Sequence, residues 1–133
     1  MSHSNLTPDE LKAKAAKFQL FLETRHGQDP EQLLERVELL AILVAQSGQC
    51  LADAKYHQDC VINGEIGQAI DRMLTDKLSA STINQYVKTA AKEYNYLVNW
   101  LDRINATATH QLDALRTIIS YRKTEFNSLS YGT

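Results

Sequence analysis

Proline is almost absent from this sequence: only Pro8 and Pro30 occur, both in the first thirty residues. About a hundred residues therefore follow without the strongest helix breaker, and glycine, with five positions, interrupts them rarely. Long helices are permitted. Cysteine is equally scarce. Cys50 and Cys60 stand ten apart on what reads as one helix, which separates them by about 15 Å and excludes a disulfide between them. No apolar run approaches the roughly 18–20 residues of a membrane span, Leu39 to Ala45 being the longest. The first twenty residues are polar and charged, unlike a signal peptide. Cytoplasmic location and no membrane partner are the resulting expectations.

The 133 residues, 44% hydrophobic and 23% charged, suit one globular domain. The net charge of −2 rules out a polybasic nucleic-acid binder, but charge is unevenly spread. Met1–Asp76 carries seven basic and twelve acidic residues, Lys77–Thr133 seven and four. Any anionic partner should therefore meet the C-terminal half.

Start and stop signals divide the chain into four expected helices. Thr7-Pro8-Asp9-Glu10 is a capping box, followed by Leu11, Ala15, Phe18 and Leu22 on one stripe, with His26-Gly27 as the stop of a helix over 7–26. Asp29-Pro30 opens a central helix over 30–62. Leu33, Val37, Leu40, Val44, Leu51 and Ala54 share its seam, Ser47 fills one slot, and Asn63-Gly64 ends it. This helix is apolar over much of its girth, which predicts contacts on more than one side. A short helix over 65–76 carries Ile66, Ile70, Met73 and Leu74. The last, over 81–126, keeps a four-three apolar spacing from Ile83 to Ile118, interrupted at Gln111, and the tail from Asn127 reads as loose. The predicted fold class is all-α: an elongated helical bundle, its long C-terminal helix packed on the long central helix. So extended a seam predicts a homo-oligomer.

Catalytic signatures are missing: there is no Walker loop, dinucleotide fingerprint, zincin motif or CxxC. Cys50, Asp53, His57 and Cys60 share one helix arc, but ten residues of helix spread them too far for one tetrahedral metal site. His110 and Asp113 form an i, i+3 pair with no nucleophile or oxyanion site beside it. No enzyme, cofactor or metal is expected. What stands out is a line on the long helix without a carboxylate: Lys92, Tyr96, Asn99, Arg103, Thr107, His110, Ala114, Thr117 and Tyr121, with Lys88 near its start. Interleaved cations and rings are what single-stranded nucleic acid uses, phosphates pairing with Lys and Arg while bases stack on Tyr. Lys88, Lys92, Tyr96, Arg103, His110 and Tyr121 are the candidate binding residues.

Ala54-Lys55-Tyr56 before Asn63-Gly64, the segment Glu93 to Leu101 and the run Leu115-Arg116-Thr117-Ile118-Ile119 resemble the UvsY family of phage recombination mediators. That resemblance covers about 75 residues from Ala52 onward. It implies an oligomer that binds single-stranded DNA and helps load a recombinase, with a recombinase or single-strand-binding protein as partner, and it adds Lys55 to the candidate residues. Where the family carries a basic pair before the Gly turn, this chain has only Lys55. The layout also resembles small helical proteins of prophages and mobile elements. The alternative expectation is a helical oligomerising structural or adaptor protein with no nucleic-acid role.

Overall fold

The computed structural model describes residues 6–77 and 79–131 and contains three helices, α1 (Pro8–Glu23), α2 (Pro30–Asp76) and α3 (Ala80–Tyr131). The fold is all-α, and α3 packs along α2 as an antiparallel hairpin. At 47 and 52 residues these two helices are about 70 and 78 Å long. The 16-residue α1 lies lengthwise along the hairpin, from His57 to Arg36 of α2 and from Glu93 to Gln111 of α3, and buries Leu11, Ala15, Phe18 and Leu22 against both partners.

The helix starts follow the expected chemistry. The Thr7 hydroxyl accepts the Glu10 amide at 3.3 Å, and Pro8 occupies the first turn. At α2 the Gln32 side chain accepts the Asp29 amide. Ser79 caps α3, its hydroxyl accepting the Thr82 amide.

The expected stop at Gly27 is not how α1 ends. The helix closes at Glu23 with Thr24 in extended conformation, and Gly27 keeps a negative φ. A Cβ at Gly27 would run into the Gln32 side-chain amide that accepts the Asp29 amide, so a side chain there requires Gln32 to give up or shift that cap. The last carbonyls of α1 are capped from other helices instead. Arg36 of α2 donates to the Phe21 carbonyl at 2.9 Å and stacks over the Phe21 ring, and Gln111 of α3 donates to the Leu22 carbonyl. Gln111, the interruption in the α3 seam, is thus one of the residues that tie α3 to α1.

The break expected at Asn63-Gly64 is absent. Central and short helices are one, because neither Gly64 nor Gly67 takes a positive φ and both accept helical dihedrals at a cost of roughly 1 kcal/mol each. The turn lies at Lys77, in the left-handed region with φ 53°, between the expected helices over 65–76 and 81–126. At the far end α3 runs to Tyr131, so the residues expected to be loose from Asn127 are helical as far as that point; Gly132 and Thr133 lie outside the described residues.

The core is one cluster. Leu33, Leu40, Leu43 and Ala54 of α2 meet Leu97, Leu101, Ile104, Ala108, Leu112 and Leu115 of α3 beneath α1. Ile118 was expected in the seam and is exposed; Leu112 and the half-buried Ile119 take over. A straight helix drifts by about 20° per heptad against a 3.5-residue repeat, enough to swing the last seam position outward. Ser47 fills its slot as half of a polar clasp. Asn105 donates to the Val44 carbonyl at 2.9 Å and to the Ser47 hydroxyl at 3.0 Å, and Ser47 is fully buried.

Beyond residue 62, α2 runs on to Asp76 beside the first turns of α3, where Ile83 and Val87 are half-buried. Among the described residues, α2 also contains one 18-residue window apolar enough by length and composition to cross a membrane, one third of it buried. No long apolar run marks it in the sequence, because uncharged Gln46, Ser47 and Gln49 break the run while adding no charge.

Candidate nucleic-acid interface

Every residue of the proposed line on α3 faces solvent. Lys88, Lys92, Asn99, Arg103, Thr107, His110, Ala114 and Thr117 are exposed, and Tyr96 and Tyr121 are 69% and 70% exposed. The helix passes through Asn99 to Asn105 without a break. The reason is geometric: α1 and α2 occupy two adjoining sides of α3, which leaves the side opposite Leu97, Leu101 and Ile104 uncovered. Residues three and four apart then form one ridge from Lys88 to Tyr121.

Within the ridge the structure adds a residue that the sequence line omits. Trp100 is half-buried at the α1 edge, its indole N–H donating to Gln19 Oε1 at 3.3 Å. Its ring lies 6.1 Å from that of Tyr96 at an interplanar angle of 50°. Tyr96, Asn99, Trp100, Asp102 and Arg103 line a shallow hollow of about 400 Å³. Two rings beside one guanidinium suit a stacked base with a phosphate next to it. Spacing held the signal, since Trp100 follows Tyr96 by four and precedes Arg103 by three. Its seat on α1, however, depends on Gln19, 81 residues away.

Two carboxylates border this region, with opposite consequences. Glu93 is engaged by Lys12 of α1, which neutralises it beside Lys92; that bond also raises the Lys12 pKa. Asp102 is exposed and lines the hollow itself. The line of side chains is free of acid, but the hollow it forms is not.

The remaining candidates fall elsewhere. Lys55 is exposed on α2, so it does not share the α3 ridge. Cys50 is buried in the core, and His57 sits on the Leu6 carbonyl at 2.6 Å. Asp53, also buried, accepts from Gln49, while Cys60 is exposed. Among the described residues no three His, Cys, Asp or Glu side chains are grouped to hold a metal ion. Thr109 and Thr117 donate to the carbonyls of Asn105 and Asp113 four residues back, so these hydroxyls are engaged by their own helix.

Comparison with protein families, curated proteins and solved structures finds no match to this chain.

Proposed function

We propose that this chain is a non-catalytic accessory protein of DNA recombination or replication that binds single-stranded DNA along the outward ridge of α3. The observation that carries the reading is the Tyr96–Trp100 ring pair beside Arg103, on a straight exposed helix that repeats cations at Lys88 and Lys92. Phosphates pair with Lys88, Lys92 and Arg103; bases stack on Tyr96, Trp100 and Tyr121; His110 donates a further hydrogen bond. Few cations are present, so binding by one chain is weak, and several copies along one strand raise it through effective concentration. A recombinase or a single-strand-binding protein is the protein partner that the UvsY resemblance suggests, and the cytoplasm the compartment.

Trp100 is the only tryptophan, so its fluorescence reports on the hollow directly. Titration with a short oligonucleotide at low salt should quench it, and added salt should reverse the quenching through counterion uptake. Lys92→Glu with Arg103→Glu should lower affinity by about tenfold or more, each lost phosphate contact also reducing the salt slope by roughly one, at unchanged helicity. An unquenched signal at tens of micromolar protein would remove the reading.

A second reading, a helical structural or adaptor protein, is favoured by a specific observation: Leu34, Leu39 and Ile42 are exposed on α2. It predicts assembly that is indifferent to DNA.

A further inference from the structure

Among the described residues Arg36 is the one buried cation, 6% exposed where α1 ends against α2 and α3. Its contacts with the Phe21 carbonyl at 2.9 Å and with Gln111 Oε1 at 3.5 Å both leave from Nη2, and both acceptors are neutral. Nε is buried and has no partner. A guanidinium taken out of water ordinarily meets an anion, and a bare buried N–H calls for an acceptor. The carbonyl end of α1 offers about half a negative charge, so the rest of the Arg36 charge stands uncompensated.

Arg36 lines a hollow of about 330 Å³ where the three helices meet. Leu22, Ala114, Leu115 and Ile118 give the hollow an apolar wall, and the exposed Glu23 and Arg25 with half-buried His26 give it a charged rim. The Glu23 carboxylate accepts from Gln19 Nε2 at 2.8 Å and forms no ion pair with either arginine. Setting Glu23 against Arg25 leaves Arg36 as the unmatched charge of the lining.

We propose that this hollow binds a small organic monocarboxylate, its hydrocarbon body against the apolar wall and its carboxylate on Arg36 and Arg25. One unmatched cation calls for a monoanion. A largely aliphatic wall calls for a hydrocarbon body, which phosphate and sulfate lack. A guanidinium stays charged when buried and carries several N–H donors, so one taken up by α1 still leaves others for a ligand. The hollow touches the α3 ridge at Ala114 but uses none of the cations assigned to DNA, so the two sites stand or fall separately.

Titration of the isotope-labelled chain with sodium hexanoate, followed by two-dimensional NMR, should shift the Arg36 Nε–H and the backbone amides of Thr24, Arg25 and His26 saturably. Hexanol, the same body without the charge, and inorganic phosphate, charge without the body, should each bind about tenfold more weakly or worse, the worth of one charged hydrogen bond. Arg25→Ala should weaken hexanoate by about two- to fivefold, as the loss of an exposed charge pair does, and Glu23→Gln should tighten it. Arg36→Met should make hexanoate no better than hexanol; if that variant does not fold, the opposite shifts of Arg25→Ala and Glu23→Gln carry the test. Shifts that fail to saturate by tens of millimolar hexanoate overturn the proposal, as does affinity indifferent to both Arg25→Ala and Glu23→Gln. Equal affinity for hexanol overturns it by leaving a plain apolar crevice, and equal affinity for phosphate by leaving an unselective anion site.

Discussion

At the residue scale, the polar groups of the core carry more information than the apolar ones. Ser47 and Gln111 each interrupt an apolar repeat, Arg36 and Asn105 stand beside one, and each answers a backbone or side-chain group on another helix. Arg36 is 6% exposed, meets no carboxylate among the described residues, and leaves its Nε without a hydrogen-bond partner. Desolvation accordingly lowers its pKa, and the cation is held by the Phe21 carbonyl and ring. The sequence marks Ser47 and Gln111 as interruptions, but it does not name their partners, because Gln111 and Leu22 are 89 residues apart. Cys50 shows the same burial acting on a thiol. Desolvation raises its pKa above the ordinary 9.0, Lys14 opposing and Asp53 reinforcing the shift. The unfolded thiol ionises first, so the contribution of Cys50 to stability is complete below that ordinary value and is lost as pH rises through the raised one. In a Cys60→Ala background the melting temperature should therefore fall more steeply above pH 9 than it does with Cys50→Ala added. With both cysteines present, iodoacetamide should modify exposed Cys60 and spare Cys50 until the chain unfolds. Equal labelling of the two in the native state would contradict the buried placement.

At the scale of elements, helix identity was legible and helix ends were not. Capping residues placed the starts of α1 and α2 to within a residue, since a cap is a local interaction. Gly64 is a stop signal in the sequence because glycine often ends a helix, yet that role requires the left-handed conformation, which Lys77 adopts instead. The two glycines remain a local weakness inside α2. A Cβ at Gly64 or Gly67 would meet no atom within 4 Å. Replacing each by alanine should thus stabilise the fold by about 0.5–1 kcal/mol, through reduced freedom of the unfolded chain and better helix propensity. Chemical denaturation of Gly64→Ala, Gly67→Ala and the double variant measures this. A loss of stability in either single variant would mean that the helix bends there. The candidate ridge on α3 was legible to the same degree as the helix that bears it. Counting by turns gives a face, and a face without a break needs only continuity. The Trp100 edge of the hollow was not legible, since it depends on where α1 comes to rest.

At the scale of the molecule, the layers are unequal along the hairpin. From Arg36 to His57 on α2 and from Glu93 to Gln111 on α3, α1 makes a third layer. Nearer the turn only two helices remain. There the positions that continue the α2 core seam are Glu65, Gln68 and Arg72, while Ile66, Ile70, Met73 and Leu74 are exposed. Ile83 and Val87 are only half-buried, and Arg72 lies over the Tyr86 ring at 5.0 Å. A helix pair with so little apolar burial gains little from packing, and helical propensity alone barely sustains segments of this length. Stability should therefore fall along the long axis. Native-state hydrogen exchange should show backbone amides of residues 62–76 and 80–91 opening first, with slower exchange at 33–57 and 97–115, where opening requires the core to come apart. Alanine at Gly64 and Gly67 should slow exchange in the first group and leave the second unchanged, since it acts on the two-helix arm alone. Uniform protection from one end to the other would show instead that the arm is covered in solution, and the exposed strip from Ile66 to Leu74 would then be the place to look for what covers it.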